Sequence, residues 1–172
     1  MFGWPFFRKG VDNAIEAIDR LNAEDGNYLL AIALAGPSAL IEGEILNKFG
    51  QVPSWIKFLS PSNDAAKYYN ASDVFLSASR EEGLAYSVLE AAFCDCMVVA
   101  SEIGGHALDI PYIEAYQVTN IDKLSDALKR MCNKTEEEKR EIKAAQREYV
   151  TRVYDVNTWS KDVIAAYSLF LV

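Results

Sequence analysis

The chain has 172 residues, of which 51% are apolar and 24% are charged, and its formal net charge is −8. These values are typical of one globular domain that buries a proper hydrophobic core. The acidic balance, without a basic stripe, excludes a nucleic-acid partner, and no apolar run approaches the roughly 18 residues that would cross a bilayer.

Short apolar runs alternate along the chain with segments of helical periodicity. The predicted strands are 1–2, 28–35, 55–59, 74–77 and 97–100. The predicted helices are 11–21, 38–49, 63–69, 86–93, 121–131, a charged helix from 135 to beyond 149, and 157–169. Ser38 and Asn63 are predicted to cap the second and third helices, and Thr135 with Glu138 forms a capping-box pattern.

Strands that alternate with helices predict βαβ units. The expected fold is therefore α/β, a Rossmann-like parallel sheet of about six strands with helices on both faces. Ligands bind such sheets at the carboxyl ends of the strands. We expect the residues that follow the strands to gather along one edge: Gly3, Gly36, Ser60, Glu82 and Gly104.

The segment from Glu82 to Glu90 is the most informative part of the chain. It follows an apolar run and leads into a helix, so backbone N–H groups and the positive end of a helix dipole point at one spot. Such a spot binds phosphate. The two carboxylates would repel a phosphate but accept hydrogen bonds from sugar hydroxyls, so the pattern predicts a nucleotide-sugar site.

Several motifs occur in an order that points to one family. They are Phe2-Gly3, Lys9-Gly10-Val11-Asp12, Ala35-Gly36-Pro37, residues 71–76, residues 79–83, Glu90-Ala91-Ala92, residues 98–101 and Gly104-Gly105. This ordered set resembles the C-terminal, donor-binding domain of retaining glycosyltransferases of the GT-B fold, especially glycosyltransferase family 4. The resemblance implies that residues 1–172 form the donor-binding domain and that the N-terminal acceptor domain is absent from this chain.

The resemblance also implies roles for the matching residues. Glu82 would hold hydroxyls of the donor sugar, Glu90 would take the ribose hydroxyls, and Lys9 would donate to the diphosphate. Lys9 and Glu82 are thus the predicted catalytic residues. The remaining donor contacts would come from the glycine loop and the helix start: Gly3, Gly83, Leu84, Ala85 and Tyr86. No metal or cofactor is expected, because Lys9 and the helix amides stabilise the leaving phosphate.

The function that the resemblance implies is transfer of a hexosyl unit from a UDP- or GDP-linked sugar to a glycan or glycolipid acceptor. The acceptor and any membrane contact, at the inner face, would involve only the missing domain, so this chain alone is expected to be inactive. The alternative is a non-catalytic nucleotide-sugar or interaction module that keeps only the fold. A response-regulator type of domain is disfavoured, because Asp12 alone does not make the acidic cluster that it needs.

The three cysteines bear on location and on metal binding. Cys94 and Cys96 are too close in sequence for an easy structural disulfide, and Cys132 stands alone. We therefore expect reduced thiols and a cytoplasmic protein. No histidine or further cysteine lies beside Cys94 and Cys96 to complete a tetrahedral metal site.

Some positions depart from the family's pattern. These are Trp4, Ser60, Asp95, Met97 and Leu108, the last with Asp109 one residue beyond the expected acid. Trp4 stands where an arginine is common, so Arg8 would supply that cation or it is missing. His106 is expected to be exposed in its loop. The aromatic run of Phe2, Trp4, Phe6 and Phe7 is expected to be exposed in this chain and to pack against the missing domain.

Overall fold

The computed structural model describes residues 1–24, 26–34 and 37–168. The strands in this part of the chain are β1 (Leu30–Ala33), β2 (Ile56–Leu59), β3 (Val74–Ser77), β4 (Met97–Ser101) and β5 (Glu114–Tyr116). The α-helices are α1 (Val11–Glu24), α2 (Ala39–Phe49), α3 (Ala66–Asn70), α4 (Tyr86–Phe93), α5 (Ile121–Cys132), α6 (Glu136–Val153) and α7 (Val156–Ser168). A 3₁₀ turn, Gly104–His106, follows β4.

All pairs between these strands are parallel. β1 pairs with β2, and β3, β4 and β5 form a second ladder in that order. Phe2 makes a single parallel bridge to Ala33, and the centroid of its ring lies 6.1 Å from that of Phe75. The first residues therefore lie between the two ladders, at the place where the sequence predicted the end of a strand.

The core lies on both faces of the β3–β4–β5 ladder, because successive side chains of a strand point to opposite sides. Leu76 and Val99 belong to a hydrophobic cluster that also contains residues of α1 and α5. Phe75 and Val98 belong to a second cluster, which contains residues of α4. Helices therefore cover both faces, and the predicted α/β fold with parallel strands is confirmed.

The apolar face of α1 shows why this helix packs as it does. Its predicted face, formed by Val11, Ala14, Ile15, Ile18 and Leu21, is buried throughout. Full burial of each valine, isoleucine or leucine side chain on this face contributes about 1.5–3 kcal/mol, so the helix is held mainly by its contact with the core.

The predicted helix starts had mixed outcomes. Thr135 and Glu138 form both bonds of the capping box at α6. Ser38 occupies the N-cap position of α2, but its side chain makes no capping hydrogen bond. The prediction that Asn63 caps α3 is wrong, since that helix begins after Ala65.

Three predictions fall outside the described residues: Ala35 as the end of the second predicted strand, the position of Gly36, and Leu169 as the end of the last helix. Within the described part, α7 has no buried side chain assigned to it, and Trp159 and Tyr167 are 63% and 69% exposed. No helix in that part of the chain is both long enough and apolar enough to pass through a bilayer.

The aromatic run near the start of the chain divides into two pairs. Trp4 and Phe7 are exposed, as predicted. The prediction is wrong for the other two, because Phe6 is buried in the first cluster and Phe2 packs edge-on against Tyr69. The exposed aromatic surface of this loop is therefore smaller than the sequence suggested.

Candidate functional site

The site lies beyond the carboxyl end of β3, in the loop that leads into α4. Lys9 Nζ donates to Glu82 Oε1 at 2.5 Å, although 73 residues separate them in sequence. Ser79 Oγ donates to the same carboxylate oxygen at 2.8 Å. The structure thus brings together the two residues that were predicted to be catalytic. The side chains of Lys9 and Glu82 are 19% and 10% exposed, so water screens this ion pair only in part.

The surroundings of Glu82 keep its carboxylate ionised. Burial alone would raise the pKa of Glu82, but hydrogen bonds from Lys9 and Ser79, with the nearby charges of Lys9 and Arg8, outweigh burial and hold that pKa below its usual value. Both hydrogen bonds go to Oε1. Among the described residues, Oε2 of Glu82 has no hydrogen-bond partner, so this oxygen is available to a ligand.

Two glycines allow the loops of the site to approach one another closely. Gly10 has a φ of +64°, and a Cβ there would lie 1.9 Å from the carbonyl oxygen of Ala78. A Cβ on Gly105 would lie 2.4 Å from the carbonyl oxygen of Glu82. A larger residue at either position would move the loop that carries Lys9 or Glu82.

The backbone amides before α4 are partly free. The N–H of Ala85 donates to the Gly105 carbonyl at 2.7 Å, and that of Tyr86 donates to the Leu84 carbonyl at 3.1 Å. The N–H groups of Gly83, Leu84 and Ser87 have no hydrogen-bond partner among the described residues. Three donors therefore remain for an anion at this corner, and one of them, Ser87, was not predicted from sequence.

Glu90 lies just over one turn into α4, and a single side chain holds it. Tyr69 donates its hydroxyl to Glu90 Oε2 at 2.8 Å. Tyr69 is itself buried, with its ring packed edge-on against Phe75 at 5.4 Å. Burial and the adjacent Glu90 carboxylate both raise the pKa of Tyr69, so its hydroxyl keeps its proton and remains a donor. Oε1 of Glu90 has no partner in the part of the chain that the structure describes.

A small cavity connects the residues around Glu82 with those around Glu90. Lys9 and Ser79, which bind Glu82, line one part of it. Phe2 and Phe75, which pack against Tyr69, the hydrogen-bond partner of Glu90, line another part. Its volume is about 10 Å³. This is room for about one water molecule, so a diphosphate would lie over the cavity and not inside it.

Gly3, which was predicted to contact the donor, is buried. A Cβ on Gly3 would lie 2.5 Å from the Ile32 side chain and 2.7 Å from that of Ile41. Its N–H donates to the Ala33 carbonyl at 3.2 Å. In this structure Gly3 allows the first loop to pack against β1 and α2, and its amide already has an acceptor.

A buried ion-pair network supports the loop that carries Lys9, and sequence reasoning missed it. Arg80 donates to both carboxylate oxygens of Asp12 at 2.8 and 2.9 Å and to Asn13 Oδ1 at 2.8 Å. Its guanidinium carbon lies 3.9 Å from the centroid of the Phe7 ring. Lys48 also donates to Asp12 at 2.8 Å. Although burial would raise it, the pKa of Asp12 is lowered by these cations, so its buried carboxylate stays charged.

His106 was predicted to be exposed, and this prediction is wrong. The side chain is fully buried between the ends of β3 and β4. Its Nε2 lies 2.8 Å from Ser77 Oγ, and its Nδ1 lies 2.7 Å from the Ser101 carbonyl oxygen. Both ring nitrogens thus have partners on the two strands, which explains how a polar side chain is buried in this turn.

An open groove of about 660 Å³ borders the site on the side of β5, where it is lined by Leu84, Gly104 and Leu108. Asp109 also lines it, but its carboxylate accepts hydrogen bonds from Tyr149 at 2.6 Å and Tyr154 at 3.3 Å. The lining that the structure describes includes no lysine, arginine or histidine. A phosphate group is therefore better placed beside Lys9 than in this groove.

No group of three or more histidine, cysteine, aspartate or glutamate side chains in the described part of the chain is arranged to hold a metal ion. The groups able to meet a phosphate are the Lys9 ammonium and the free amides of Gly83, Leu84 and Ser87.

Comparisons with known proteins identify the family and the fold of the chain. A family model described as "Glycosyl transferases group 1" matches residues 2–134. No curated protein matches the chain. Among solved structures, WaaG, a glycosyltransferase involved in lipopolysaccharide biosynthesis, is 23% identical with a TM-score of 0.69, over 93% of this chain and 44% of WaaG.

Two further solved structures share the fold. The C-terminal domain of LpcC, a glycosyl transferase group 1 family protein from Francisella tularensis, is 22% identical with a TM-score of 0.71, over 87% of this chain and 82% of that domain. S. aureus TarM in a complex with UDP is 18% identical with a TM-score of 0.75, over 92% of this chain and 32% of TarM. This chain spans 34–45% of the length of the first solved structures that it matches.

Proposed function

The chain belongs to the glycosyl transferases group 1 family, and we propose that it binds a nucleotide-diphosphate sugar as the donor half of a retaining glycosyltransferase of family 4. The donor is a UDP- or GDP-linked hexose. The full-length enzyme transfers the hexosyl unit to a glycan or glycolipid, while the isolated chain holds the donor without transferring it.

The way in which the two glutamates are anchored carries this proposal. Lys9 and Ser79 hold Glu82 through Oε1, and Tyr69 holds Glu90 through Oε2. Each carboxylate is thus oriented by one oxygen, and the other has no partner among the described residues. A carboxylate oxygen accepts hydrogen bonds from hydroxyl groups. Glu82 would therefore take hydroxyls of the sugar, and Glu90 would take hydroxyls of the ribose.

The diphosphate would lie between the two glutamates. The Lys9 ammonium has three N–H donors and uses one of them on Glu82, so two remain for phosphate oxygens. The free amides of Gly83, Leu84 and Ser87 supply further donors at the positive end of α4. These donors would compensate the repulsion between the phosphates and the two carboxylates.

The same donors would assist the reaction. Transfer breaks the bond between the anomeric carbon and the phosphate oxygen and forms a bond from that carbon to an acceptor hydroxyl oxygen. Negative charge grows on the leaving phosphate, which would take up the proton of the acceptor hydroxyl. Preorganised donors aimed at such a charge are worth about 3–4 kcal/mol each. Lys9 and the free amides are placed for this task, and neither glutamate has to form a covalent bond to the sugar.

The acceptor would be bound by a second domain of the full-length enzyme. The proposal is supported by the matched solved structures, of which this chain spans 34–45%. Contact with the inner face of the membrane would also belong to that second domain, and the donor site would work in the cytoplasm.

Isothermal titration calorimetry tests the proposal. The chain is titrated with UDP, GDP, UDP-glucose, UDP-N-acetylglucosamine and GDP-mannose, with circular dichroism to confirm folding. We expect at least one nucleotide-sugar to bind. Glu90→Ala should weaken nucleoside diphosphates and nucleotide-sugars alike, whereas Glu82→Ala should weaken only the sugar-bearing forms. Glu137→Ala, an exposed glutamate on α6, is the matched control. Folded protein that binds none of these ligands at millimolar concentration would refute the donor site.

A further inference from the structure

We propose that His106 is a positioning residue, which anchors the Gly104–His106 turn beneath Glu82 and thereby orients that carboxylate toward the donor sugar. This inference rests on the proposed function. It concerns a side chain that has no predicted contact with the donor and whose hydrogen-bond partners among the described residues are Ser77 and Ser101.

The imidazole ties the turn to two strands. Its Nδ1 lies 2.7 Å from the Ser101 carbonyl oxygen on β4, and a carbonyl can only accept, so Nδ1 carries the proton and donates. In the neutral imidazole Nε2 is then the acceptor, 2.8 Å from Ser77 Oγ on β3, whose hydroxyl donates to it. The neutral form of His106 therefore has one defined tautomer in this arrangement.

Two contacts join the turn to the Glu82 loop. A Cβ on Gly105 would lie 2.4 Å from the Glu82 carbonyl oxygen, so the backbone of the turn directly supports that of Glu82. The Gly105 carbonyl also accepts from the Ala85 N–H at 2.7 Å. A shift of the turn would therefore move the loop from Glu82 to Ala85.

A second path runs through the strand ends. Ser101, which accepts from His106 through its carbonyl, donates its hydroxyl to the Ser79 carbonyl at 2.5 Å. Ser79 Oγ in turn donates to Glu82 Oε1 at 2.8 Å. His106 thus reaches Glu82 through the turn and through Ser79, which is why we assign to it the orientation of this carboxylate.

Protonation would change this arrangement. An imidazolium donates from both nitrogens, so the Ser77 hydroxyl would have to accept from Nε2 instead of donating to it, and a positive charge would be buried between the strand ends. The groups that face His106 are Ser77 of β3, Ser101 of β4, Glu82 of the following loop and Lys9 of the glycine loop. Burial lowers the pKa of His106 below its usual 6.5, although Ser101 and Glu82 oppose the shift, so the neutral form persists at neutral pH.

The first test compares donor affinities. Using calorimetry with UDP and UDP-glucose, or the best-bound pair of the panel above, we expect His106→Leu to weaken the nucleotide-sugar about tenfold. The nucleoside diphosphate should weaken less, by about threefold at most, because the same loop carries the Gly83 and Leu84 amides but Lys9 is carried by another loop. His106→Asn keeps an N–H donor for the Ser101 carbonyl and should retain most of the affinity. Ser72→Ala is the control. It also removes a side-chain hydrogen bond, from Ser72 Oγ to the Tyr68 carbonyl at 2.7 Å, but this bond lies before the start of β3, at the end of the strand away from Glu82.

The second test follows pH. His106 is the only histidine in the chain, so its imidazole resonances in a proton NMR titration are assigned without ambiguity. In a titration from about pH 7.5 down to about pH 5, wild-type affinity for the nucleotide-sugar should fall in step with the imidazole protonation that the NMR signal records, because the pKa of His106 is lowered below the usual 6.5. His106→Asn should show no such fall. Glu82 stays ionised in this range, because its pKa lies below the usual 4.5.

The outcomes separate this inference from the proposed function. Wild-type protein that binds no nucleotide-sugar overturns both. Wild-type binding that is matched by His106→Leu, or an equal loss of UDP and UDP-glucose in that variant, overturns the positioning role alone. If His106→Leu does not fold, His106→Asn and the pH dependence of wild-type affinity test the role instead. A wild-type affinity for the nucleotide-sugar that does not change when the imidazole becomes protonated overturns the role.

Discussion

The two glutamates of the site are the same residue type in very different surroundings. Glu82 has a side chain that is 10% exposed, accepts from Lys9 and Ser79, and rests on the backbone of Gly105. Glu90 is exposed on α4 and accepts one hydrogen bond from Tyr69. Glu82 is therefore oriented by an extended network before any ligand arrives, whereas Glu90 is oriented by one side chain.

This difference in burial and hydrogen bonding suggests that the two glutamates have different roles in donor binding. A preorganised carboxylate gives geometric discrimination, because a misplaced hydroxyl loses its hydrogen bond. A carboxylate at the exposed edge contributes affinity with less discrimination. We therefore expect changes around Glu82 to affect the choice of sugar and the stability of the domain, and changes around Glu90 to affect nucleotide affinity.

Removal of Arg80 should give the largest loss of stability. This side chain holds the start of α1, next to the loop whose Lys9 binds Glu82, and in the described part of the chain it makes no contact that orients Glu90. Arg80→Ala leaves the Asp12 carboxylate buried with Lys48 alone, and we expect a loss of about 3 kcal/mol in the free energy of unfolding. Urea denaturation measures this loss. Arg130→Ala, which breaks an exposed pair with Glu114, should cost less than about 1 kcal/mol. Equal costs for the two variants would contradict the supporting role of Arg80.

The next effect concerns Lys9. Lys9→Met should weaken UDP and its sugar derivatives by about 10- to 100-fold, because a charged hydrogen-bond donor to the diphosphate is lost. Calorimetric titration measures the change. Lys139→Met, at an ion pair on the surface of α6, is the control and should bind as the wild type does. A loss confined to the sugar-bearing ligands would show that Lys9 acts only through Glu82.

Removing one anchor from each glutamate compares their surroundings directly. Ser79→Ala should weaken nucleotide-sugars about fivefold relative to the nucleoside diphosphate, because one of the two hydrogen bonds that orient Glu82 is lost. Tyr69→Phe removes only the hydroxyl that holds Glu90 and should weaken both ligand classes by a similar factor. Identical ligand selectivity in the two variants would show that the glutamates do not divide their work in this way.

The smallest predicted effect is on stability in acid. The pKa of Glu82 is lower in the folded state than its usual 4.5, so the unfolded state binds the proton more readily. The ionised Glu82 carboxylate therefore stabilises the folded state fully above pH 4.5, and this stabilisation is lost as the pH falls through the folded-state pKa of Glu82. The difference in melting temperature between wild type and Glu82→Gln should therefore narrow between about pH 5 and about pH 3. A difference that is constant across this range would contradict the sign of the shift.

The sequence predicted most securely those parts that short-range patterns encode. β3 and α4 have the predicted bounds, since an apolar run and a helical period mark them clearly. β5 was not predicted, because Glu114–Tyr116 is only three residues long and has one buried side chain. So short a segment becomes a strand through its pairing with β4, which a local pattern does not reveal.

The contacts that the sequence did not reveal join distant residues. Asp12 and Arg80 are 68 residues apart, and Ser77 and His106 are 29 apart. A histidine in a loop has no periodicity to indicate burial, so the error on His106 came from missing its partners. Lys9 and Glu82 were assigned from separate motifs to one site, and their hydrogen bond to each other, across 73 positions, was not predicted. The hydrogen bond from the Ala85 amide to Gly105 depends on tertiary packing and was not foreseen.

A crystal structure of the chain with a bound nucleotide-sugar tests the central claim most directly. The account predicts the diphosphate between Lys9 and the amides of Gly83 and Leu84, with the sugar on Glu82 Oε2 and the ribose on Glu90 Oε1. A diphosphate in the groove beside Leu108, with both glutamates free of ligand, would contradict it.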